Sequence, residues 1–194
     1  MNSWKQAVEN FDKRLDYEEI DDFLLHLNES VDRRVKKLTD ESKKSSSQNF
    51  ENLTDIDKYR DYLEDLIESS YLVKNLGDEL SIIALYKKVE IHIGKVMKRK
   101  IPLASSKKLS YFDQRCKVLP YIQTVEGYLA FNELRLINNS IKHEGKVSSE
   151  LAKNFSCWKE NDQISGLDNV FKRLCPKVEQ YVRNLVTKIY ESNP

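Results

Sequence analysis

The sequence predicts an all-α protein, a helical bundle of about five or six helices. Apolar residues recur at spacings of three and four along most of the 194 residues, which is the period of an amphipathic helix. Five glycines and four prolines are too few for a sheet protein with many hairpins. The mean hydropathy of -0.63, without a long apolar run, argues against a membrane span. The first residues lack a signal-peptide core, so we expect a cytoplasmic protein.

The N-terminal part predicts an acidic helical segment over residues 1–41. Its apolar residues are Trp4, Val8, Phe11 and Leu15, followed after a change of phase by Ile20, Leu24, Leu27, Val31, Val35 and Leu38. One bent helix and two consecutive helices both satisfy this pattern. Residues 42–53 include SKKSSSQN, which has no apolar side to bury, and we expect a flexible loop there.

We expect the remaining residues, 54–194, to form the helical bundle. Asn75 to Gly77 indicates the end of one helix, and Gly94 in the middle of the next indicates a close helix crossing. Pro120 suits the first turn of a helix that runs to about His143. The inward residues of the last three long helices are expected to be Ile82, Tyr86, Val89, Ile93 and Val96, then Val125, Leu129, Leu134, Ile137 and Ile141, then Phe171, Leu174, Val178, Leu185 and Ile189.

Charge is distributed unevenly along the chain. Residues 1–70 hold 11 basic and 18 acidic residues, a net of -7, and residues 71–194 hold 21 basic and 13 acidic residues, a net of +8. The stretch 87–117 carries ten Lys and Arg residues against Glu90 and Asp113. Acidic helices lying beside basic ones explain this pattern, and so does an anionic partner, most plausibly a nucleic acid. We infer RNA contacts at Lys98, Arg99, Lys100, Lys107 and Lys108.

Several kinds of site are not indicated by the residues. The glycines stand alone, so no glycine-rich phosphate loop is present. Three scattered cysteines and three scattered histidines form no CxxC or HExxH spacing. We therefore predict free thiols, no metal site built from a local motif and no cofactor.

One helix departs from simple amphipathicity. In FNELRLINNSIKHEG, a polar stripe runs opposite the apolar side of the helix and is formed by Asn132, Arg135, Asn139, Lys142 and His143. Amides, a guanidinium and an imidazole offer donors, acceptors and one group that titrates near neutrality. The alternative explanation of this stripe is an ordinary solvent-exposed helix surface that ends in a histidine, because such a surface has the same pattern.

The stretch LRLINNSIKHEG, preceded by a helix bearing ALYKKVE, resembles the HEPN (higher eukaryotes and prokaryotes nucleotide-binding) family over about residues 55–192. The resemblance implies a helical bundle with an added N-terminal helical segment. It also implies a homodimer whose two copies build a composite site. Many members are metal-independent endoribonucleases of toxin–antitoxin and phage-defence systems. Their motif is an Arg with four to six residues before a His, and here His143 matches the histidine and Asn139 the polar position.

The motif arginine is missing from its usual place. The residue five positions before His143 is Asn138, and Arg135 lies eight positions before it, about 12 Å along the helix axis. Histidine moves protons in metal-free RNA cleavage, and a cation stabilises the phosphorane. Either Arg135 replaces the missing arginine across a dimer interface, or the domain has lost catalysis and acts as an interaction or scaffolding protein.

The resemblance and the charge pattern suggest two further roles. Glu90 is a weaker candidate for the site, because a carboxylate on the preceding helix faces the motif helix in some relatives. A surface ion pair with Lys87 is its alternative role. The acidic N-terminal segment is a candidate surface for a protein partner.

Overall fold

The computed structural model describes residues 3–45, 53–105, 109, 111–143 and 145–192. These residues form α1 (Ser3–Asp12), α2 (Glu18–Lys44), α3 (Leu53–Lys100), α4 (Pro102–Ser105), α5 (Phe112–Val118), α6 (Tyr128–His143), α7 (Ser149–Asn154) and α8 (Leu167–Ser192). Over the described ranges there is no strand, only an isolated bridge between Lys146 and Gln163. The predicted all-α helical bundle is confirmed. Five of the helices have ten residues or more.

The chain divides into two compact units. The main unit comprises residues 1–17 and 82–194, and the hairpin unit comprises residues 18–81. Helix α3 is continuous from Leu53 to Lys100 and contributes to both units.

The hairpin unit is an antiparallel pair formed by α2 and the first part of α3. Tyr59 donates a hydrogen bond to the Glu41 carboxylate at one end, and Gly77 meets the Leu27 side chain toward the other. The helix end predicted at Asn75 to Gly77 is wrong, because α3 passes through these residues without a break. A Cβ at Gly77 would overlap Leu27, so this glycine permits close packing of the two helices.

The core of the main unit lies between α3, α6 and α8. The inward residues predicted on α3 and α8 are buried, as are Leu134 and Ile137 on α6. Phe131 stacks on Tyr181 with ring centroids 5.0 Å apart. The Tyr181 hydroxyl donates to the Ile122 carbonyl at 3.1 Å, which satisfies this polar group in the apolar interior.

The segment before α6 differs from its prediction. Residues 120–127 form turns, and the helix expected to start at Pro120 begins at Tyr128. Gly127 has a φ of +88°, and a Cβ there would lie 3.0 Å from the Tyr181 Cβ, so both conformation and space favour glycine. Leu129, expected to point inward, is 72% exposed.

Helices α1 and α2 are two consecutive helices, which decides between the two alternatives left open for the N-terminal segment. The break falls at residues 13–17, where the apolar stripe changes phase. Helix α1 packs on α8, but Trp4 and Phe11 of its stripe are exposed. Periodicity identifies a shared side of a helix, and it does not show whether a neighbour covers that side.

The structure also bears on the predictions for the loop at residues 42–53, for Gly94 and for a membrane span. Residues 42–44 of the expected loop continue α2, and residues 46–52 lie outside the described residues. The close crossing expected at Gly94 is wrong, because no described neighbour lies within 4 Å of a Cβ placed there. Among the described helices, none has an apolar stretch long enough to cross a membrane.

Candidate nucleic-acid interface and histidine cleft

A polar cleft of about 500 Å³ lies at the C-terminal end of α6. It is lined by Leu136, Asn139, Ser140, His143, Lys146, Val147, Ser148, Ser149, Glu150, Glu160 and Asn161. The structure therefore brings the predicted site residues Asn139 and His143 together, one helical turn apart on α6.

Two serines fix the wall of this cleft. Ser140 Oγ donates to Ser148 Oγ at 3.0 Å, and Ser148 Oγ accepts from the Leu151 amide at 3.3 Å as the N-cap of α7. Gly145, with a φ of +66°, turns the chain after α6 and donates its amide to the Ser140 carbonyl at 3.0 Å. Helices α6 and α7 are thus joined through a short hydrogen-bonded turn.

The cleft combines groups of both charges. His143 is exposed at the C-terminal end of α6. Lys146 lines the same cleft and is a cation that the sequence had not indicated, whereas Glu150 and Glu160 bring carboxylates. Asn161 adopts a left-handed φ of 68°, a conformation that asparagine tolerates better than most residues.

Arg135 is held by its neighbours. Its Nε and Nη2 donate to Asn132 Oδ1 at 3.1 and 2.9 Å, and Nη2 pairs with Glu150 Oε1 at 3.1 Å. The guanidinium also lies 5.2 Å from the centre of the Phe112 ring. Because Glu150 lines the cleft, Arg135 contacts the cleft wall through Glu150 rather than lining it.

Asn138 lies in the interior. It is 1% exposed, its Nδ2 donates to Asn139 Oδ1 at 3.3 Å, and its Oδ1 has no partner among the described residues. The position expected for the motif arginine therefore points away from solvent, and Asn138 is absent from the cleft lining.

Glu90 forms the ion pair expected with Lys87, at 3.5 Å, and a second one with buried Arg115, at 3.2 Å. Tyr86 donates its hydroxyl to Glu90 at 3.4 Å. Burial, followed by the nearby Glu90 carboxylate, raises the pKa of Tyr86 to about 12. Glu90 thus joins α3 to α5, and it is not among the cleft-lining residues.

A second groove, of about 380 Å³, follows one side of α3. Its lining residues are Lys87, Glu90, Ile91, Gly94, Lys95, Lys98, Leu109 and Arg115. We call this the basic groove. Lys87, Lys95 and Lys98 are exposed, and their spacings of eight and three place them on one side of the helix. Glu90 is the carboxylate among these lining residues, and buried Arg115 balances its charge, while exposed Lys87 lies 3.5 Å from its other oxygen.

Of the five predicted RNA-contacting residues, Lys98 lines the basic groove. Arg99 pairs with the buried Asp12 carboxylate, and Lys100 Nζ lies 3.9 Å from the centre of the Tyr190 ring. Lys107 and Lys108 lie outside the described residues. The prediction from sequence chose the middle of the basic stretch and missed Lys87 and Lys95, which their helical spacing from Lys98 could have indicated.

The contacts of Arg99 belong to a clamp on α1. The Asp12 carboxylate also accepts from the Tyr190 hydroxyl at 2.6 Å, and the Asp12 carbonyl contacts His92 Nε2 at 2.6 Å. Burial and the Asp12 carboxylate raise the pKa of Tyr190 to about 12. His92 therefore has a structural contact with α1.

An ionic network centred on the buried Glu133 carboxylate, which the sequence did not indicate, lies on the other side of α6. Glu133 accepts two bonds from Arg173, at 2.8 and 2.7 Å, and one from Trp158 Nε1 at 3.0 Å. Burial acts to raise the pKa of Glu133, but the bonds from Arg173 and Trp158 outweigh it and lower that pKa. The network joins α6 to α8 and to the loop after α7.

Neither the polar cleft nor the basic groove contains a metal site among its described residues. No group of three or more His, Cys, Asp or Glu side chains that could hold a metal ion occurs in the part of the chain that the structure describes.

Comparisons of the chain with protein-family models, with curated proteins and with solved structures find no match.

Proposed function

We propose that the chain is a HEPN-like helical protein that binds RNA along the basic groove of α3. The observation that supports this most strongly is the row of three exposed lysines, Lys87, Lys95 and Lys98, on one side of the helix. They span about 16 Å of helix axis at 1.5 Å per residue. Buried Arg115 also lines the groove, and its ion pair with Glu90 neutralises that carboxylate.

The groove has two features that suit a nucleic acid strand. Ammonium groups contact phosphates independently of sequence, and this contact supplies most of the affinity for RNA or DNA. Ile91 is exposed between the lysines and offers an apolar surface for a base. A role in bacterial defence or in a toxin–antitoxin pair, and a homodimer through α6, rest on the family resemblance and stay predictions.

RNA binding is tested by fluorescence anisotropy with a labelled, unstructured RNA of about 20 nucleotides. We expect the triple variant Lys87→Gln, Lys95→Gln, Lys98→Gln to bind at least ten times more weakly than the natural protein. The control replaces Lys5, Lys153 and Lys159 by Gln, which removes the same charge from exposed positions outside the groove. Equal losses in both triple variants would contradict a binding site in this groove.

Cleavage of the RNA at the α6 cleft is the second candidate function. It is favoured by the placement of His143 and Lys146 in one cleft, where an imidazole can transfer the proton and an ammonium can stabilise the phosphorane. Arg135 is a weaker candidate for that cation because Glu150 and Asn132 already hold it.

Gel analysis of the labelled RNA in EDTA tests this second function. If the cleft is catalytic, His143→Ala abolishes cleavage and Lys146→Gln reduces it at least tenfold, whereas the exposed control Lys153→Gln cleaves normally. Intact RNA after incubation with the natural protein that binds it would leave RNA binding as the function and remove cleavage.

A further inference from the structure

Helix α3 has two apolar sides within the hairpin unit. One side packs on α2 and contains buried Leu63 and Gly77. On the other side, Leu72, Leu76 and Leu80 follow each other at spacings of four residues and are 61%, 54% and 45% exposed. Residues four apart lie on the same side of a helix, so the three leucines form one continuous surface.

One more exposed side chain extends this surface, because Val73 lies about one turn before Leu76 and is 47% exposed. We call the surface formed by Leu72, Val73, Leu76 and Leu80 the leucine row. A helix that is apolar on two opposite sides is normally covered on both, and a contiguous exposed apolar patch marks an interaction site.

The charges beside the leucine row are acidic. From Asp61 to Glu79 the chain carries six carboxylates and a single basic residue, Lys74. Lys74 lies two residues before Leu76, a turn of about 200°, and so belongs to the opposite side of the helix. Asp61, Asp65 and Glu68 are exposed, and none of them takes part in an ion pair with another described residue.

Asp61, Asp65 and Glu68 therefore place negative charge beside an apolar surface, and a cationic neighbour would lower its energy.

We propose that the leucine row binds an amphipathic helix of a partner protein, with apolar side chains at alternating spacings of three and four residues and with Lys or Arg beside them. The apolar side chains would pack on the leucines, and the cations would pair with Asp61, Asp65 and Glu68. A second copy of this chain fits less well, because its own leucine row has the same acidic border and would bring like charges together.

The proposal is tested with the full-length protein and two labelled synthetic peptides of three heptads each. Both peptides carry Leu at positions a and d, and they carry either Lys or Glu at positions e and g. In fluorescence anisotropy we expect saturable binding of the Lys peptide and at least tenfold weaker binding of the Glu peptide. The double variant Asp65→Asn, Glu68→Gln should lose at least half of this preference and show a weaker salt dependence.

The variants Leu72→Ser and Leu76→Ser should each weaken binding of the Lys peptide about tenfold or more. Because both side chains are exposed, circular dichroism should show unchanged helicity. Leu129→Ser, at an exposed leucine of α6 outside the leucine row, is the control and should bind the peptide like the natural protein.

Three outcomes would overturn the proposal. One is failure of the Lys peptide to bind, and another is binding that both leucine variants retain. The third is a doubled mass in light scattering that Leu76→Ser abolishes, because a second copy would then cover the leucine row.

Discussion

The salt dependence of RNA binding gives a quantitative test of the basic groove. Each phosphate contact to a single strand contributes a slope of about -0.7 to the plot of log affinity against log salt. Lys87, Lys95 and Lys98 provide three exposed cations, whereas the charge of Arg115 is already neutralised by Glu90. The expected slope is therefore about -2. Raising salt fourfold, from about 50 to about 200 mM, should weaken binding about 20-fold.

Removal of one lysine should change this slope by a known amount. Lys98→Gln removes one phosphate contact, so the slope should fall to about -1.4, and anisotropy titrations at four salt concentrations measure it. Lys153→Gln, which lies outside the groove, should keep the slope of the natural protein. The reasoning is refuted if the slope of the natural protein is near zero, or if Lys98→Gln and Lys153→Gln give the same slope.

Three further predictions concern stability and are measured by urea denaturation. Gly94→Ala should raise the free energy of unfolding by about 1 kcal/mol, because alanine favours the helix and its Cβ meets no described neighbour there. Gly77→Ala should lower the free energy of unfolding, because its Cβ would overlap the Leu27 side chain. Stabilisation by both substitutions would contradict the packing of α2 on α3. Asp12→Asn should lower the free energy of unfolding by about 2 kcal/mol, because buried Asp12 loses its ion pair with Arg99. Asp168→Asn, which removes an exposed ion pair with Lys172, should lower it by less than about 0.5 kcal/mol. The lowered pKa of Glu133 means that its carboxylate stabilises the fold above its ordinary value of 4.5, and that this contribution disappears as pH falls through the lower folded value. Glu133→Gln should therefore lose about 2 kcal/mol at neutral pH and show a smaller decline in acid than the natural protein, and identical declines would count against the network.

Sequence spacing predicted some residues of the cleft at the end of α6 and missed others. Spacing along α6 was sufficient to place Asn139 and His143 on one side of a helix, and the structure puts both in the cleft. The pattern did not indicate Lys146, because this residue follows the helix and enters the cleft through the turn at Gly145. It also could not show that Glu150, from α7, holds Arg135.

For the helices too, spacing within one helix was sufficient for some predictions and insufficient for others. Apolar periodicity was enough to assign the all-α class and the buried residues of α8, because that helix is packed along one continuous side. It failed at Gly77, where glycine and asparagine indicated a helix end. The close approach of Leu27 explains why a glycine lies inside α3 instead.

The sequence by itself determined the helical class, the uneven charge and the polar stripe of α6, since these depend on residue type and on spacing within one helix. Only the tertiary structure decided which stripes are covered. Leu129 and the leucine row have the same pattern as buried residues, yet they are exposed. Tertiary packing also chose the partners of each charge: Arg99 is held by Asp12, and Lys98 faces the basic groove. Periodicity describes one helix at a time, whereas burial and ion pairing depend on neighbours that are distant in sequence.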